Sequence, residues 1–154
     1  VDERFSRIRD EVRQKGAEGR RAGKELARVH KERRALIRKT IEPRVREIVR
    51  GAASGMRWRL DEEWSGESFD ISRGYSYSAR LSPKGEYIGT RLYVFLSMTE
   101  GHKPPELYSI TLRAETGEDH NPLKLPDGAS ATLQELPRRL EEALRAVLKF
   151  YGQL

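Results

Sequence analysis

At 154 residues, with a formal net charge of +6 and 36% apolar residues, the chain has the length of one domain and can bury roughly 70% of its unfolded surface. It has no cysteine, which excludes a disulfide framework and a thiolate metal site and suits a reducing compartment. No stretch approaches the roughly 20 apolar residues of a membrane span and no secretory leader opens the sequence, so a cytoplasmic setting is expected.

The first residue is Val1 rather than Met, as expected of a fragment of a larger protein. Charge is uneven along the chain. Residues 1–50 carry 17 Lys/Arg against 9 Asp/Glu, a net of +8, and residues 51–154 carry 13 against 15, a net of −2. This divides the sequence into a basic helical arm over 1–50, packing partly on the rest, and a sheet-and-helix body over 51–154, together one domain. Such asymmetry marks an arm that meets a polyanion or, more commonly, a solvated helix face.

In chain order, Phe5, Ile8, Val12, Ala22, Leu26, Val29, Leu36 and Thr40 fall on a series of alternating three- and four-residue steps. That is the spacing of a heptad helix seam, interrupted at Lys15, Gly19 and Arg33. Glu3–Arg7, Glu11–Lys15 and Glu42–Arg46 are supporting acid-first pairs four residues apart. Gly16, Gly19 and Gly23 each cost about 1 kcal/mol relative to Ala, which predicts a break or weak point there, the alternative being a close approach of another backbone. Thr40 to Pro43 predicts a kink or restart, with Thr40 as the cap and the proline in the first turn. The helix then runs through Val45, Ile48 and Val49 to a stop at Gly51 or Gly55.

Beyond Gly55 the period changes to two. Met56–Leu60 alternates, as does Tyr75–Ser82, with the turn Pro83-Lys84-Gly85 after it. Tyr87–Thr99 is the strongest strand, with Ile88, Leu92, Val94, Leu96 and Met98 on one face and Tyr93 and Phe95 on the other. Leu107–Ala114 places Tyr108, Ile110 and Leu112 together, and Phe69–Ile71 adds a short strand. Short turns between neighbours predict an antiparallel sheet of four to five strands. Thr116–Gly128 reads as a loop. Thr132 and Glu135 form a capping box ahead of a helix striped by Leu133, Leu136, Leu140, Leu144, Val147 and Tyr151, which packs on the sheet. Pro137 predicts an irregular first turn. The fold class is therefore α+β.

An unbroken helix from residue 3 to 50 spans about 70 Å, more than strands of eight to ten residues can support. Its first half is expected to overhang, fold back or pair with another chain, with residues 24–50 covering part of the sheet.

Two surfaces follow. Arg20, Lys24, Arg28, Lys31, Arg34 and Arg38 gather on one helix face, which suits phosphate contacts or a solvated exterior. Phe5, Ile8, Val12, Leu26, Val29 and Leu36 form the candidate pairing stripe on the other side. Aromatics near Arg57, Arg59 and Arg80 resemble a base-stacking surface but serve more often as core and cross-strand pairs. His30, His102 and His120 lack metal-ligand spacing, and Asp61-Glu62-Glu63 with Glu67 reads as a solvated acidic loop. No sequence motif specifies a catalytic residue, a metal or a cofactor.

The expected function is a noncatalytic interaction or adaptor domain. It pairs with itself as a homodimer or with a protein partner through the N-terminal helix. Nucleic-acid binding by the basic face is the alternative, and a small apolar ligand held between sheet and helix is a third reading.

Overall fold

The computed structural model describes residues 3–65, 75–85, 89–99 and 106–153. The chain opens with helix α1 (Glu3–Leu36) and passes through a π-helical turn (Ile37–Ile41) into α2 (Glu42–Met56). Strands β1 (Arg59–Ser65), β2 (Ser76–Ser82), β3 (Arg91–Met98) and β4 (Tyr108–Thr116) follow. Two short strands, β5 (Asn121–Leu123) and β6 (Ser130–Ala131), precede α3 (Leu136–Phe150). The architecture is the predicted α+β class.

The sheet is antiparallel throughout, in the order β1-β2-β3-β4-β5, with β6 also on β4. Register is fixed by burial. Tyr77 opposes Leu96, and Val94 opposes Ala79 on one side and Leu112 on the other. All five are buried on the same face. A slip of one residue would exchange that face for Ser78, Tyr93, Phe95 and Arg113.

Helices α2 and α3 cover this inner face. Val45, Val49 and Ala53 come from α2, and Leu136, Leu140, Ala143, Leu144 and Val147 from α3, as the C-terminal stripe predicts. Ile37, in the π turn, is the first buried residue of the described chain, and α1 contains none. Coverage of the sheet thus begins at Ile37, later than the expected residue 24. α1 overhangs as a helix about 51 Å long.

Several local expectations are corrected. α1 runs through Gly16, Gly19 and Gly23 without a break. Glycine lowers helix stability, but unlike proline it neither removes a donor nor blocks the preceding turn. The kink expected near Thr40 is the π turn. Pro43 cannot donate to the carbonyl four residues before it, and the turn widens so that the Glu42 N–H reaches the Ile37 carbonyl, five residues back. Thr40 caps nothing; its hydroxyl donates to the Leu36 carbonyl at 2.7 Å.

α2 continues past Gly51 and Gly55 and ends on Arg57, a non-glycine residue in the left-handed conformation (φ 57°, ψ 38°). Met56 is accordingly helical, and the first strand starts at Arg59 rather than Met56. The segment read as a loop after Thr116 contains β5. Thr132 accepts from the Glu135 N–H at 3.1 Å, and its hydroxyl donates to Glu135 Oε1 at 2.8 Å. That box closes a turn ahead of α3, whose first turn holds Pro137. Tyr87, Ile88, Phe69 and Ile71 lie outside the described residues.

Candidate interaction surfaces

α1 presents its seam to solvent. Phe5 is 70% exposed, Ile8 55%, Val12 65% and Leu36 46%, while Leu26 and Val29 are half-buried. A heptad frame with Phe5, Val12, Gly19, Leu26 and Arg33 at a puts Ile8, Lys15, Ala22, Val29 and Leu36 at d. Glu11, Glu18, Glu25 and Glu32 then fall at four successive g positions, a row along the d side of the seam. The matching e positions are Gly16, Gly23, His30 and Ile37. The sequence reading missed this row, because its spacing of seven makes one face only if the helix runs unbroken through Gly16–Gly23. Arg28 ties part of it together. Its guanidinium donates to both carboxylate oxygens of Glu25 and to Glu32 at 3.0 Å. The hydrogen bond and charge of Arg28 hold the Glu25 carboxyl below its ordinary pKa.

The six predicted basic residues do not share one environment. Arg20, Lys24 and Lys31 are exposed. Arg28 is engaged with the two glutamates, and Arg34 is half-buried. Arg38, in the π turn, lies with its guanidinium 5.3 Å from the Tyr75 ring centroid, where the helix reaches the sheet.

A second polar group joins α2 to β1. The Asp61-Glu62-Glu63 run is part of a strand, not a solvated loop, and the pleat turns Glu62 inward. Glu62 accepts from Arg50 Nε at 3.0 Å and from the Tyr77 hydroxyl at 2.9 Å, with Arg46 Nε at 3.4 Å. Trp64 Nε1 donates to Glu42 Oε1 at 2.9 Å, and the Arg46 guanidinium stands 5.1 Å over the Trp64 ring. The burial of Tyr77, with its bond to Glu62, pushes its phenol above the ordinary range. This cluster pins a helix to a sheet edge. Sequence reasoning missed it because the partners lie 12 to 22 residues apart. Glu67 is outside the described residues.

The outer sheet face carries Tyr93 and Phe95, stacked with centroids 5.5 Å apart and an interplanar angle of 7°. Arg113 covers both rings at 4.6 and 5.3 Å and is itself bonded to Glu115 at 3.2 Å. Tyr75 and Tyr77 instead enter the core. The aromatics thus divide between the two sheet faces, and the outer pair is already capped by arginine.

An open groove of about 620 Å³ runs between α2 and α3, past Ile48, Ala52, Met56, Leu140 and Leu144. His30 is on α1, His120 lies 3.8 Å from Glu115, and His102 is outside the described residues. Among the described residues no cluster of three or more metal-ligating side chains occurs, and no helix is long and apolar enough to cross a membrane. No protein-family model, curated protein or solved structure matches the chain.

Proposed function

We propose that the chain is a noncatalytic interaction domain whose body carries α1 outward as a helix-pairing element. The observation behind this reading is a 34-residue helix with no buried residue and an exposed heptad stripe led by Phe5, Ile8 and Val12. Helices in proteins gain most of their stability from packing an apolar face, so an exposed face of this length calls for a cover. A seam helix supplies one by interdigitating a and d residues.

The test is sedimentation equilibrium of the full chain, alone and with synthetic heptad peptides of about 35 residues. Pairing is expected, and the triple variant Phe5→Ser/Ile8→Ser/Val12→Ser abolishes it while the body keeps its melting temperature. Absence of pairing both with itself and with every peptide overturns the reading.

A second reading uses the opposite side of the same helix. Arg20, Lys24 and Lys31 are exposed there, and a polyanion would release counterions on meeting them. Anisotropy of labelled DNA and RNA, titrated at two salt concentrations, tests it. Binding must weaken steeply with salt and fall on reversing those three charges.

A further inference from the structure

Resting on the pairing reading, we infer that the partner of α1 is a different amphipathic helix, basic along the flank that meets Glu11, Glu18, Glu25 and Glu32, rather than a second copy of this chain. The argument is charge complementarity along the seam. In a two-stranded pairing the residues beside a and d choose partner and orientation.

Two copies satisfy neither orientation. Antiparallel, g residues face g residues. With Phe5 set opposite Leu36 of the other copy, Glu11 faces Glu32 and Glu18 faces Glu25, each twice by symmetry. Each such pair sets acid against acid, and the single Arg28 of each copy is shared between Glu25 and Glu32. Parallel, the glutamates face Gly16, Gly23 and His30, and the row gains no cation from the first two. Within the seam, Lys15 would meet Lys15 and Gly19 would meet Gly19. The last heptad is closed to a parallel copy as well, because Ile37, its e position, is fully buried in the body.

A helix bearing Lys or Arg opposite the row removes the repulsion, and an acid or amide opposite Lys15 satisfies that position. The cationic side of α1 does not forbid a basic partner. It lies across a helix about 10 Å wide, comparable with the screening length at physiological salt of about 8 Å, whereas flanking pairs meet within hydrogen-bond distance. Arg28 also holds Glu25 and Glu32 from the outer side, leaving their seam-facing edge toward a partner. Within the seam at Gly19 and on the other flank at Gly23, a Cβ would meet nothing within 4 Å. Backbone is open to close approach there.

The experiment uses the full chain and two labelled peptides of about 35 residues with one apolar seam and flanks of either Lys or Glu. Fluorescence anisotropy at about 50 and about 300 mM NaCl reads both affinities. The Lys-flanked peptide is expected to bind at least about tenfold more tightly, with the ratio shrinking in salt. The triple variant Glu11→Lys/Glu18→Lys/Glu25→Lys should reverse the preference. Equal binding of the two peptides overturns the inference. So does a dimer of the chain alone that the Phe5→Ser/Ile8→Ser/Val12→Ser variant dissolves, although helix pairing itself then stands. Failure of both peptides and of self-pairing removes the pairing reading beneath it.

Discussion

The Tyr77 phenol donates to Glu62 Oε2 across 2.9 Å, from the second strand of the sheet to its edge. Arg50 and Arg46 reach the same carboxylate from α2, so one acid joins three elements. Burial alone would raise the Glu62 pKa, but the hydrogen bonds from Arg50 and Tyr77 and the nearby guanidinium charges outweigh it and hold the group below 4.5. A carboxyl depressed on folding contributes stability above its unfolded pKa and loses it as pH falls through the folded value. Glu62→Gln should therefore cost about 1–2 kcal/mol at neutral pH, the half-exposed Arg50 setting the lower end. As pH falls through the lowered folded value, the variant and the parent should converge. Urea denaturation at several pH values measures both, and a pH-independent difference would rule out the ionic account.

Gly89 sits against another backbone. At φ +74°, a Cβ there would lie 1.7 Å from the Gly117 carbonyl oxygen and 2.5 Å from its carbon. The same corner receives the Tyr151 hydroxyl, which accepts from Thr90 Oγ1 at 2.5 Å and from the Gly117 N–H at 3.3 Å. Gly89→Ala should cost about 3 kcal/mol or more, from left-handed strain plus overlap. Gly117→Ala, at φ +77° with nothing nearer than 4.0 Å, should cost only about 1–2 kcal/mol. Equal losses in denaturant midpoint would contradict the close approach.

Ile37 and Phe5 mark the two ends of the arm, one fully buried and the other 70% exposed. Ile37→Ala should destabilise by about 2–5 kcal/mol, through lost transfer energy and the cavity left behind. Phe5→Ala should stay within about 0.5 kcal/mol, because it touches no core. Thermal melts of the two variants locate where the cooperative unit begins.

The sheet and α3 were legible because alternation and the three-four step report burial directly. Leu92, Val94, Leu96 and Met98 read as one face, and that face is buried. Glu62 was illegible for the opposite reason. Three acids in a row resemble a solvated turn, and only the positions of Arg46, Arg50 and Tyr77 make the middle one an inward residue. Arg57 was equally hidden, since glycine two residues earlier offers the commoner helix end. The seam of α1 was readable residue by residue. The glutamate row beside it emerges only once the helix is known to be unbroken, because a break at Gly16–Gly23 would put Glu11 and Glu25 out of phase.

That continuity carries its own test. Gly16 and Gly23 lower helix stability by about 1 kcal/mol each relative to Ala, and neither meets a side chain that forbids a methyl group. Gly16→Ala/Gly23→Ala should deepen the circular dichroism at 222 nm and slow amide exchange in the middle of α1 by about fivefold per glycine, the factor equivalent to that energy. The body's melting temperature should not move, because Gly16 and Gly23 lie on the part of α1 before its first half-buried stretch at Leu26 and no α1 residue is fully buried. Unchanged exchange would mean that the glycine side is already covered in solution. The helix would then be paired before any partner is added, and the seam would have to be read as an interface between copies.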